Sequence, residues 1–118
     1  VFTISDDEIS NAIMDRYKMG TKIRLITDND KCYDAGSDIF KLDKAGIHCR
    51  VDDTEHHMHH KFAIADGGAV LTGSYNWTRS AAKYNEENLL ITREASVVKE
   101  YQKEFDRMWK EEMVDLNA

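Results

Sequence analysis

His59-His60-Lys61-Phe62-Ala63-Ile64-Ala65-Asp66-Gly67-Gly68-Ala69-Val70-Leu71-Thr72-Gly73-Ser74-Tyr75-Asn76 is the stretch whose reading decides the fold. Two apolar runs flank a glycine-rich turn, the pattern of a β-hairpin. With Gly67 and Gly68 as the two loop residues, Asp66 faces Ala69, Lys61 faces Ser74 and His59 faces Asn76. Residues two apart on a strand share a face. This register therefore predicts that His59, Lys61, Ser74 and Asn76 gather on one side, with Phe62, Ile64 and Leu71 turned to a core.

Upstream, Ser5-Asp6-Asp7-Glu8 reads as a capping box, and Ile9, Ala12, Ile13 and Tyr17 repeat at helical spacing until Gly20. Residues 22–28 read as a buried strand and 29–36 as a polar loop. A short helix is predicted over 37–45 and a strand over 47–51. Alternating strand and helix implies parallel strands with helices on their faces. Downstream, residues 60–65 and 69–73 are the hairpin strands, 80–83 a short helix and 88–92 a last strand. Ser96 is predicted to cap a long helix in which Val98, Tyr101, Phe105, Met108 and Trp109 form an apolar stripe. The fold class is α/β, a mixed sheet flanked by helices, in a single domain over 1–118.

Composition narrows the function classes. The chain is 42% hydrophobic and 32% charged, which is globular rather than disordered. A net charge of −6 argues against a surface that is wholly a nucleic-acid footprint, yet leaves room for a local basic site. No run is long and apolar enough to span a bilayer. Cys32 and Cys49 fit no metal or redox spacing and read as two reduced thiols. Val1-Phe2-Thr3-Ile4 reads as the end of an apolar strand with nothing before it, so a truncated start is expected.

The quartet suits a phosphodiester. A neutral histidine nitrogen is a nucleophile near neutral pH. Lys61 offers a positive charge to phosphate oxygens, and Ser74 and Asn76 offer hydrogen bonds to charge that grows in the transition state. A nucleophilic histidine needs its other nitrogen held by an acceptor; Glu87 is the candidate and Glu86 the alternative. Blander readings stand beside these. His56, His57, His59 and His60 cannot all reach one tetrahedral ion from an extended chain, so no metal is assigned. His56 and His57 read as rim or loop, and His60, alternating away, as a packing or capping residue. Tyr75 reads as core. Trp77 is either core or a stacking platform, and is carried as a candidate substrate-binding residue. Arg79 and Lys83 read as a solvated face.

His59-x-Lys61, four residues, Asp66, six residues, then Gly73-Ser74-x-Asn76 resembles the phospholipase D superfamily signature. The flanking Thr72-Gly73-Ser74-Tyr75-Asn76-Trp77-Thr78 and Asn85-Glu86-Glu87-Asn88 resemble its small single-motif branch, which includes bacterial nucleases and phospholipid hydrolases. The resemblance implies His59 as nucleophile, Lys61 and Asn76 as phosphate ligands, Glu87 as the orienting carboxylate, and Asp66 as a structural residue of the turn. It implies no cofactor and no metal. It also implies a homodimer, in which the second copy's His59 serves as general acid. The family domain opens with a strand and a helix that find no match before Val1.

Three functions follow for testing: a phosphodiesterase acting on single-stranded nucleic acid, the same chemistry on an anionic phospholipid such as cardiolipin, or a catalytically silent binding module. The motif does not choose between the first two. The lipid reading implies the mitochondrial surface, with membrane association through a segment outside this chain. Otherwise an intracellular, bacterial setting is expected.

Overall fold

The computed structural model describes residues 1, 4–28, 37–52, 58–74, 76–78, 86–111 and 113–115. The predicted polar loop over 29–36, the short helix over 80–83, and Cys32, His56, His57, Tyr75, Arg79 and Lys83 lie outside them, wholly or in part.

The first half folds as its periodicity predicts. Helix α1 (Asp7–Lys18) leads to strand β1 (Arg24–Thr27), helix α2 (Ile39–Lys44) and strand β2 (His48–Asp52). β1 and β2 pair in parallel, Leu25 beside Cys49 and Thr27 beside Val51. The α1 cap differs from the capping-box reading. Asp6, one residue beyond Ser5, is the N-cap, and its carboxylate accepts the amides of Glu8 (2.9 Å) and Ile9 (3.4 Å).

The hairpin follows: β3 (Phe62–Ala65), β4 (Ala69–Gly73) and then β5 (Leu89–Thr92), all antiparallel. Its register is one residue off the prediction. Ala65 pairs with Ala69 and Phe62 with Thr72, so the loop holds Asp66, Gly67 and Gly68. Asp66 and Gly67 both take left-handed backbone (φ 55° and 63°), and the Gly68 amide donates to Ala65 O at 2.9 Å. Aspartate tolerates that region better than most side chains, so the turn starts one residue early. A one-residue slip exchanges faces. Phe62 and Ile64 now share a side with Thr72 and Val70, and Leu71 goes to the other side with Ala63.

Helix α3 (Ala95–Glu111) and strand β6 (Met113–Asp115) close the fold. The helix begins before Ser96, so that serine lies inside the first turn rather than capping it. The Val98 amide already reaches Glu94 O at 3.0 Å. β6, which the sequence reading missed, pairs antiparallel with β2. Among the described residues the strands form two three-stranded sheets, a mixed β1-β2-β6 and an antiparallel β3-β4-β5.

Apolar residues explain the layering. β1 is buried on both faces: Leu25 joins a cluster with Ile4, Ile39, Leu42, Ile47 and Cys49, while Ile26 joins Met58 and Met108. α1 and α2 cover the first cluster; α3 covers the second through Phe105, Met108 and Trp109. α3 also reaches the other sheet. Tyr101 stands edge-on to Phe62, centroids 4.9 Å apart, and its hydroxyl donates to Thr72 Oγ1 at 3.4 Å. Cys49 is a buried free thiol, its pKa pushed up to about 12 by burial and then by the charge of Asp43.

Candidate active site

In an antiparallel meander the start of β3, the end of β4 and the start of β5 lie at one end of the sheet. His59 and Lys61 precede β3, Ser74 and Asn76 follow β4, and Glu87 precedes β5. The predicted residues meet because the chain enters and leaves the ladder there, rather than because the ladder pairs them. In the observed register, Lys61 would face Gly73 and not Ser74.

Lys61 and His59 form one described pair. The Lys61 ammonium lies 2.9 Å from His59 Nδ1 and 3.3 Å from Nε2, and donates to His59 O at 2.9 Å. An ammonium only donates, so a ring nitrogen that accepts from it is one that carries no proton. Burial holds the lysine below its ordinary range, while the charge of Glu87 pulls it back up. The His59 side of this pair is solvent-exposed.

Ser74 ties β4 to β5. Its hydroxyl donates a short hydrogen bond to Glu87 Oε2 and accepts the Asn88 amide at 3.1 Å. Its own amide donates to Asn88 Oδ1 at 3.0 Å. This close approach is what Gly73 permits: a Cβ there would stand 2.1 Å from Asn88 O. The sequence reading missed Asn88. Its signal was an asparagine at the strand start that faces the Gly-Ser pair. Asn76 is half-buried, and its Oδ1 is buried with no hydrogen-bond partner among the described residues.

Other predicted residues fall outside the cluster. Asp66 sits in the exposed turn at the opposite end of the strands. Glu86 is exposed beside Glu87. His60 turns to α3, its Nε2 3.5 Å from Glu104 Oε1. Trp77, carried as a candidate substrate-binding residue and read as either core or a stacking platform, packs half-buried against the first core cluster, and its carbonyl accepts the amides of Ser5 (2.8 Å) and Asp6 (3.0 Å). Among the described residues no group of three metal-ligating side chains occurs, and no helix is long and apolar enough to cross a membrane.

Two sheets between helices, with a histidine–lysine pair and a Gly-Ser-x-Asn turn at one sheet end, define a phospholipase D-like domain. The chain belongs to that family: the family described as "Cardiolipin synthase, PLD-like domain" matches residues 1–109. The chain is similar to mitochondrial cardiolipin hydrolase of Xenopus laevis, 47% identical over 111 residues that cover 94% of this chain and 53% of the relative. It is 45% identical over 109 residues to that of Chlamydomonas reinhardtii, covering 92% of this chain and 49% of the relative. It thus spans about half the length of the curated relatives it matches. Its fold is similar to that of Nuc from Salmonella typhimurium, a phospholipase D family member (TM-score 0.89, 22% identity, 98% of this chain and 77% of that one). NucT from Helicobacter pylori gives a TM-score of 0.88 at 25% identity, over 98% of this chain and 79% of that one.

Proposed function

We propose that this chain is one half-site of a phosphodiesterase that works through a phosphohistidine intermediate. The observation that carries the reading is the Lys61 ammonium at the edge of the His59 ring, at the same sheet end as Ser74, Asn76 and Glu87. An unprotonated His59 nitrogen attacks phosphorus, a P–N bond forms, and the P–O bond to the leaving group breaks. The leaving oxygen takes a proton from the second copy's His59. Water then attacks the phosphohistidine, that same histidine accepts its proton, and the phosphate product and His59 are released. Lys61, Ser74 and Asn76 hold the non-bridging oxygens. Glu87 orients the imidazole; a carboxylate accepts several donors, so its bond from Ser74 is compatible with that duty.

For the substrate, an anionic phospholipid such as cardiolipin is the first reading, supported by the curated relatives named cardiolipin hydrolase at 40–47% identity. Single-stranded nucleic acid is the second, favoured by a site of isolated phosphate ligands, which suits any exposed phosphodiester.

The decisive experiment offers cardiolipin vesicles and labelled single-stranded RNA side by side, with EDTA present, to wild type and His59→Asn. Wild type is expected to turn over one of them, to yield acid-quenched phosphohistidine, and to sediment as a dimer. His59→Asn is expected to fold and lose turnover. An active His59→Asn variant, or a fully active monomer, would overturn the proposal. A folded dimer that cleaves neither substrate would point to a silent binding module.

A further inference from the structure

We infer that Asp28 is a positioning residue for His59, an inference that rests on His59 being the nucleophile. Asp28 directly follows β1, and its side chain is fully buried at 0% exposure. Its Oδ1 accepts the backbone amide of Met58 at 2.8 Å, thirty residues along the chain. Met58 immediately precedes His59.

Three observations make this more than a buried polar contact. First, burying a carboxyl group is costly, and an apolar residue at the end of β1 would extend the core formed by Ile26. Second, Met58 is held twice: its amide by Asp28, its side chain between Ile26 and Met108. Third, the far side of His59 is held as well, since the Lys61 ammonium donates to His59 O at 2.9 Å. His59 itself lies outside any strand and exposes its side chain. A residue in such a segment owes its direction to the anchors of its neighbours, because no ladder fixes it. Asp28 therefore sets where the imidazole starts from, without touching substrate. A displacement of about 1 Å in a reacting group can cost roughly 100-fold in rate.

The test measures kcat and KM on a chromogenic phosphodiester together with hydrogen exchange at the Met58 amide, in wild type, Asp28→Ala and Asp28→Asn. In Asp28→Ala, Met58 protection is expected to vanish and kcat to fall roughly 100-fold, with KM within about threefold. Asp28→Asn keeps an acceptor oxygen of the same reach, so it is expected to retain both protection and kcat. A purely structural role would lower the folded fraction and with it the apparent kcat, so kcat is counted per folded molecule; a wild-type kcat per folded Asp28→Ala molecule would overturn the inference. Two results overturn the inference: a Met58 amide that loses protection while kcat stays, or a kcat that falls while Met58 stays protected. The same pairing is read in Asp28→Asn alone if the alanine variant does not fold. A His59→Asn control that keeps turnover would instead sink the nucleophile assignment, whatever Asp28 does.

Discussion

Lys61 carries two opposed demands. Burial disfavours its charge and Glu87 favours it, and the balance holds the ammonium below the ordinary lysine range. The sign of one substitution follows. Glu87→Gln removes the opposing term, leaves burial unopposed, and is expected to move the Lys61 titration further down. The ammonium would then be lost at lower pH, and the alkaline limb of kcat/KM would move the same way. NMR titration of the Lys61 Cε reads this directly, and an upward shift would contradict it. His59, Lys61, Ser74 and Glu87 were legible because their spacing in the chain is short and repeats a chemical logic. Asn88 was not, since its bonds to Ser74 exist only once β4 and β5 pair.

At the scale of elements, most boundaries could be read from apolar runs, and β4 agrees at both ends. What could not be read was the turn. Asp-Gly-Gly offers two frames, and a side chain that accepts left-handed backbone chooses between them by geometry, not by composition. The same holds for the caps: Asp6 and Ser5 are both good N-caps, and only the path of the chain decides. The pairing of β4 with β5 makes its own prediction. Gly73→Ala places a methyl group against the Asn88 carbonyl, so the strands must part. The expected cost is about 1–3 kcal/mol in urea denaturation, with loss of turnover from the displaced Ser74. A variant as stable and active as wild type would show that the two strands give way freely.

For the molecule as a whole, the sequence conveyed the α/β class and the helical cover. It did not convey the division into two sheets. Among the described residues β1-β2 and β3-β4-β5 pair separately, and β6, which adds a third strand to the first sheet, is a three-residue strand after a long helix, too short for any period to show. α3 bridges the halves: Met108 packs with Ile26 of the first sheet and with Met58, while Tyr101 rests on Phe62 of the second. Met108 is 3% exposed, so Met108→Ala is expected to cost roughly 2–5 kcal/mol. It should also slow turnover more than it weakens substrate binding, because Met58 adjoins His59. Chemical denaturation followed by tryptophan fluorescence checks the first claim and steady-state kinetics the second.

The place of α3 in the chain has a consequence for biosynthesis. Every residue of the proposed catalytic cluster leaves the ribosome before the helix that clasps both sheets. Chains are made from the N-terminus onward, and domains tend to fold as units. A nascent chain arrested before Tyr101 would therefore hold His59, Lys61 and Ser74 without that clasp, so His59 acquires its fixed setting only when translation of the domain is nearly over.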